Sequence, residues 1–379
     1  MNKGMNPLFF ELIRVALHRQ DSLSHVPSAK EWMELYHIAE KQALLGVCFY
    51  AIRRLDEKGQ SVNIPGAIRM QWLGVTAQIQ RKNEVLNRRC VELQNMLKDA
   101  GFRSCILKGQ SMAKLYNLNF DLNHNKDDNR DNFNNSKLGL GLYRQSGDID
   151  VWLEGSRRQI MEYVNSVAPT DDVRWLHTRL DVFDDAEVEI HFMPSYLECP
   201  WHNRALQRFF ESEKEACFAT DSKTGRFNQV FILAHAFRHL FSEGVGMRQL
   251  MDYYFVLKNS VERIPRKEFS LILNRTGMMR FAKAVMWIMQ QVFGLESEYL
   301  LCEPSEKYGR VLLDEVIRSG NFGHQDERVK RRQNESAIHR FWRIGVYNCR
   351  VMSFSPWTVI CSPLWRLWHW CWRKKNGYR

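Results

Sequence analysis

Asp148 and Asp150 flank one apolar residue in the stretch 144–153, directly after Gly147. If the run that they open is a strand, alternation puts Asp148, Asp150 and Trp152 on one face and Ile149, Val151 and Leu153 on the other. Side chains two apart on a strand are roughly 6 to 7 Å apart at the backbone, within reach of a shared divalent cation. Asp-x-Asp alone also serves as a turn cap or a solvated edge. Three further features bear on it: a glycine turn at Gly109-Gln110-Ser111, the adjacent Arg144, and a later run in which Glu187, Glu189 and His191 share a face. Clustered carboxylates repel one another, and Mg²⁺ or Mn²⁺ is a common remedy. Such an ion would bridge the phosphates of a nucleotide and help deprotonate an attacking hydroxyl. Lys108, Arg144 and the N–H groups near Gly109 could neutralise phosphate charge as it develops.

The elements that must hold these residues are legible from periodicity. Residues 8–100 read as helices, with helical spacing over Glu31–Leu55 and again over Ala67–Ala100. The pattern changes at Phe102. Cys105-Ile106-Leu107 is a short buried-strand run, followed by Lys108 to Ser111 and a helical stretch to Tyr116. Strand, glycine turn and helix is the order that presents backbone N–H groups to an anion. Residues 119–141, rich in Asn and Asp, read as a surface loop. Arg157–Val167 reads as a helix, and Trp175–Phe183 with Glu187–Phe192 as a hairpin about residues 184–186. Beyond Pro200 the chain turns helical again, through Val230–Phe241, Met247–Leu257 and residues 267–320.

The combination resembles the nucleotidyltransferase superfamily that shares the DNA polymerase beta fold. More closely, it is similar to an uncharacterised bacterial nucleotidyltransferase family, through Leu107-Lys108-Gly109, Arg144 with Gly147-Asp148-Ile149-Asp150, and Glu189-Ile190-His191. His235 with His239, Arg248 with Asp252, and the stretch 320–323 also resemble that family, so the likeness covers most of residues 30–325. It implies Asp148 and Asp150 as metal-holding residues and Glu189 as third ligand or base, with Glu187 second for that role. It also implies nucleotide or phosphate contacts from Lys108, Gly109, Gln110, Ser111, Arg144, His239 and Arg248. Two departures stand out. Gly109 and Asp148 are 39 residues apart, much farther than is usual in the superfamily, and a glutamate stands where the third acid is more often aspartate.

His235 and His239 have the spacing of a zinc helix, but Ala236 occupies the position where that motif needs glutamate. They read as structural or phosphate-facing. Arg248 and Asp252, four apart on a helix, read by default as an intrahelical ion pair, with a place in the site lining added by the resemblance.

At 379 residues, 45% apolar and 26% charged, the chain has the composition of a folded protein with a large core. Nine cysteines lack any Cys-x-x-Cys pair, which points to free thiols in a reducing compartment and not to a zinc ribbon or disulfide frame. The apolar N-terminal patch is interrupted by Glu11 and Arg14, so no signal peptide is expected. Of the net charge of +11, residues 326–379 supply a surplus of nine, from twelve Lys or Arg against three acids. An electrostatic partner is therefore expected at the tail and not on the body. That tail carries Trp357, Trp365, Trp368, Trp370 and Trp372 before Arg373-Lys374-Lys375. Pro363, Arg366 and His369 argue against a membrane span, leaving a helix docked on the core, an interfacial anchor or an RNA-contacting arm.

These observations predict an α+β protein: a helical region over 1–100, a small mixed-sheet core over 101–200 with the loop 119–141, a helical region over 201–325, and a basic tail over 326–379. The expected activity is Mg²⁺- or Mn²⁺-dependent transfer of an NMP from an NTP such as ATP to an acceptor hydroxyl of RNA, protein, sugar or a small molecule, releasing pyrophosphate. The alternative is a non-catalytic nucleotide or RNA binder on the same fold. The expected location is the cytoplasm, with the tail a candidate contact to an anionic partner or the membrane surface.

Overall fold

The computed structural model describes residues 6–60, 62–117, 139–219, 225–323, 326 and 337–378. Most of the expected loop 119–141, and the part of the basic tail at 327–336, lie outside them.

Four helices open the chain: α1 (Pro7–Ala16), α2 (Ala29–Lys41), α3 (Leu45–Glu57) and α4 (Gly66–Asp99). Helix α2 starts on a capping box, in which the Ser28 hydroxyl accepts from the Glu31 N–H and Glu31 accepts from the Ser28 N–H. The helical spacing of residues 31–55 is not one helix. Ala43 takes a left-handed φ of 54°, which ends α2 and re-aims α3. Helix α4, 34 residues long, spans about 50 Å at the usual rise. Its first half buries Ile68 and Trp72 with Trp32 and Tyr36 in the main core; its second half places Leu86, Cys90, Leu93 and Leu97 beneath the sheet.

The sheet has β1 (Ser104–Ile106), β2 (Ile149–Leu153), β3 (His177–Arg179) and β4 (Val188–His191), in the order β1-β2-β4-β3. Strand β2 runs antiparallel to β1 and parallel to β4, while β4 and β3 form the expected antiparallel hairpin with shorter strands than the apolar runs suggested. The fold class is α+β. Short helix α5 (Gln110–Leu115) follows β1, and α6 (Arg157–Val167) follows β2. Alternation holds along the strands. Ile149, Val151, Leu153, Val188 and Ile190 face α4 and α6 in one apolar cluster, while Trp152 joins the main core on the other side.

Helices α7 (Pro200–Ala219), α8 (Gly225–Leu240), α9 (Met247–Asn259), α10 (Arg266–Thr276), α11 (Met279–Gln291) and α12 (Glu306–Ser319) follow. Helix α8 buries residues on every side and so runs through the middle of the assembly. These helices share the main core with α1–α3. Hydrogen bonds also cross that core: the Gln42 amide donates to the Val316 carbonyl and accepts from the Met247 N–H. All nine cysteines are free thiols. The chain closes with α13 (Ala337–Val351) and α14 (Pro356–Lys375). Among the described residues no helix is long and apolar enough to cross a membrane.

Candidate active site

The pairing of β2 with β4 places Asp150 directly beside Glu189 on the same face, with Asp148 immediately before the first residue of β2. Three of the expected carboxylates therefore converge. Glu187 precedes β4 and is exposed, its carbonyl accepting from the Ile149 N–H. It remains close enough to contribute to the field at Asp148.

The 39-residue separation between Gly109 and Asp148 closes in space. β1 lies along β2, the Leu107 N–H donates to the Asp150 carbonyl at 2.9 Å, and a Cβ at Gly109 would meet the Asp148 carbonyl oxygen at 3.3 Å. Gly109 has φ 68° and ψ −107°, a conformation that side-chain-bearing residues avoid. The backbone turn thus calls for glycine, and a Cβ there would also crowd β2. The strand pairing also carries Lys108 to the acids: its Nζ is 2.9 Å from Asp150 Oδ1.

His191 Nε2 donates to the same Asp150 oxygen at 2.9 Å and lies 3.6 Å from Glu189 Oε2. His177, opposite His191 across the hairpin, puts Nδ1 3.0 Å from Glu189 Oε2. Burial works against the charge on Glu189, but contacts with His177 and His191, with Lys108 nearby, together hold its pKa below the ordinary value. Burial likewise opposes charging His191, yet Asp150 and Glu189 raise its pKa. Asp148 has the opposite balance. Burial and the neighbouring Asp150 and Glu189 push its pKa up to about 6, with Lys108 only partly offsetting them.

The remaining expected site residues divide between the site wall and its scaffold. Arg144 is buried and grips Asp252 with a two-pronged pair, Nε to Oδ1 and Nη2 to Oδ2, both at 2.7 Å. Tyr116 also donates to Asp252 Oδ1 at 2.8 Å, while Arg144 Nη1 donates to Ser146 Oγ. The expected Arg248–Asp252 pairing along α9 gives way to this one, because the planar guanidinium of Arg144 meets both carboxylate oxygens at once. Arg248 donates to the Gln145 carbonyl at 2.8 Å; burial and the charge of Arg144 bring its pKa down to about 10. Gln110 is part of the same scaffold, donating to the Asn83 carbonyl and Asn87 Oδ1 and accepting from Ser146 Oγ. The Ser111 hydroxyl, by contrast, is buried without a hydrogen-bond partner among the described residues. His235 and His239 form an edge-to-face pair on α8, with ring centroids 4.4 Å apart. Burial keeps both readily neutral, His235 well below its ordinary pKa and His239 at about 4, with the charge of Lys108 contributing to each shift.

Residues 28–119 and 140–294 match the model of a family described as uncharacterised nucleotidyltransferase. The chain belongs to this family. The match is interrupted over 120–139, within the Asn- and Asp-rich stretch, and resumes just before Arg144 and the acids. No curated protein and no solved structure matches the chain.

In this member of the family, the donor chemistry fits a divalent cation. Asp148, Asp150 and Glu189 offer hard oxygens, and Asp148, whose pKa is raised by burial and by the charges of Asp150 and Glu189, is the acid that a bound cation would relieve most. His177, Glu189 and His191 additionally place one ligand atom each within 4.8 Å of one another. Spacing alone places His191 on the acids' face; His177 is the site member that the sequence did not announce. The hairpin register puts His177 there, and a connection spanning residues 180–187 leaves that register open to several pairings.

Proposed function

We propose that this nucleotidyltransferase transfers an NMP group from an NTP to an acceptor hydroxyl, releasing pyrophosphate, in a reaction that depends on Mg²⁺ or Mn²⁺. The observation that carries the reading is the convergence of Asp148, Asp150 and Glu189 on adjacent strands, beside a glycine turn that leads from Lys108. Asp148, Asp150 and Glu189 would hold the metal, which when bound would supply Lewis-acid stabilisation of phosphate charge and favour loss of the acceptor's proton. Lys108 is placed to exchange its contact with Asp150 for a phosphate oxygen. The Gly109 turn would let a nucleotide approach the backbone, and the buried Ser111 hydroxyl has hydrogen-bonding capacity to offer. His239 and Arg248 would line the wall on the helical side. Arg144 would act through Asp252 by fixing the segment before Asp148, with the 101–200 region as the catalytic unit and 201–325 as its support.

A non-catalytic nucleotide binder is favoured by one specific observation. Lys108 and His191 both neutralise Asp150, and His177 contacts Glu189, so part of the acidic cluster is compensated by the protein's own cations. Titration calorimetry with ATP, GTP, CTP and UTP in the presence of Mg²⁺ or Mn²⁺ tests both readings. The enzyme reading expects binding that Asp148→Ala and Asp150→Ala abolish, and transfer of α-phosphate label into an acceptor in cell extract. No nucleotide binding overturns both readings; metal-dependent binding without label transfer selects the non-catalytic one.

A further inference from the structure

Helix α14 lies on the body of the protein with its most buried residues on one face. Trp365 stacks on Tyr196 with centroids 4.7 Å apart, Trp372 meets Trp175 edge to face, and Arg366 reaches Glu198 at 3.5 Å. Thr358, Cys361 and Ser362 are buried. At the helical repeat, Trp357, Ile360, Leu364, Leu367 and Trp368 fall within an arc of about 100° on the outward side, with Trp368 at its edge also packing edge to face on Trp175. Each is 44–71% exposed. Trp201, at the start of α7, is also exposed and touches Trp357 edge to face, extending the patch onto the body. The helix contains no acidic residue and finishes in Arg373-Lys374-Lys375.

We propose that this outward stripe docks the protein onto an anionic lipid bilayer, with α14 lying in the plane of the interface. Aliphatic side chains occupy the middle of the stripe, tryptophans occur along it, and cations close one end. Hydrocarbon satisfies the first, the headgroup boundary suits the second, and anionic headgroups satisfy the third. A second copy of the chain would bring another acid-free, basic helix against the stripe. Nucleic acid would leave Ile360, Leu364 and Leu367 without the stacking partners that bases provide. The helix is already formed and anchored by its inner tryptophans, so insertion carries little ordering cost. Its length and composition do not support crossing the bilayer.

Flotation of the full-length protein with phosphatidylcholine vesicles, alone or mixed with phosphatidylglycerol, tests the proposal. Recovery is expected with the mixed vesicles, falling as salt rises. Leu364→Glu with Leu367→Glu should lower the partition coefficient by about tenfold or more, since each leucine loses a buried apolar surface. Lys374→Glu with Lys375→Glu should lower it about severalfold, only on anionic vesicles. Leu364 and Leu367 are exposed, so an unchanged melting temperature should accompany the first double variant. Equal flotation of wild type and Leu364→Glu/Leu367→Glu, or no flotation on either vesicle, overturns the proposal. So does light scattering that shows an oligomer which that variant dissolves, because the stripe would then be a contact between copies.

Discussion

Arg144→Ala is the perturbation whose consequence the structure specifies most closely. The substitution removes both 2.7 Å hydrogen bonds to Asp252 and the bond to Ser146, and leaves a buried carboxylate that keeps its 2.8 Å bond from Tyr116. Removing one partner of a buried pair costs about 3–5 kcal/mol, because the remaining charge stays desolvated. Tyr116 and the positive charge of nearby Arg248 relieve part of that penalty, placing the expected loss near the lower end, about 3 kcal/mol. Asp252→Ala should cost a similar amount by leaving Arg144 buried beside Arg248. Joining the two changes removes both charges together, so the double variant should lose about 2 kcal/mol less than the sum of the single losses. Urea unfolding followed by far-ultraviolet circular dichroism and tryptophan fluorescence gives each value. A loss below about 1 kcal/mol for Arg144→Ala, or additivity within about 0.5 kcal/mol, refutes the assignment of this pair as the clamp between α9 and the segment before Asp148. Wild-type stability combined with lost nucleotide binding would return Arg144 to the phosphate-contacting role that its place in the sequence suggests.

Other outcomes follow from the same physical reasoning. Asp148→Asn should stabilise the protein while removing any nucleotidyl transfer. The folded-state pKa of about 6 lies above the ordinary 3.8, so the ionised carboxylate costs stability above pH 6 and the cost disappears as pH falls below about 4. Solvent screening at this half-buried group reduces the gain to about 1–2 kcal/mol at neutral pH, measurable as a rise in Tm that vanishes in acid. Gly109→Ala should cost about 1–3 kcal/mol from backbone strain at φ 68° and displace β1 from Asp148, seen as lost protection of the Leu107 amide in hydrogen exchange. Gly309→Ala would place a Cβ 2.4 Å from the Trp287 ring between α12 and α11, and a loss of about 1–3 kcal/mol by overpacking should appear in the urea midpoint.

Periodicity alone determined much of this protein. Alternation from Asp148 to Leu153 set which side chains share a face, because the strand repeat leaves no other arrangement once the apolar set is buried. Helical spacing located most of the long helices, although a left-handed Ala43 split one run three residues before its glycine, Gly46, which lies inside α3. The convergence of Gly109 with Asp148, the neighbouring positions of Asp150 and Glu189, and the arrival of His177 belong to strand order and register. Those are contacts between distant segments, whose closure depends on the whole core and not on local propensity. Tertiary structure likewise chose Arg144 over Arg248 for Asp252, since burial rewards the two-pronged geometry more than nearness along a helix. Sequence supplied the acids and the faces they occupy. The fold decided which acids stand together and which cations answer them, because electrostatic energy depends on distance and burial, and neither is a property of residue order.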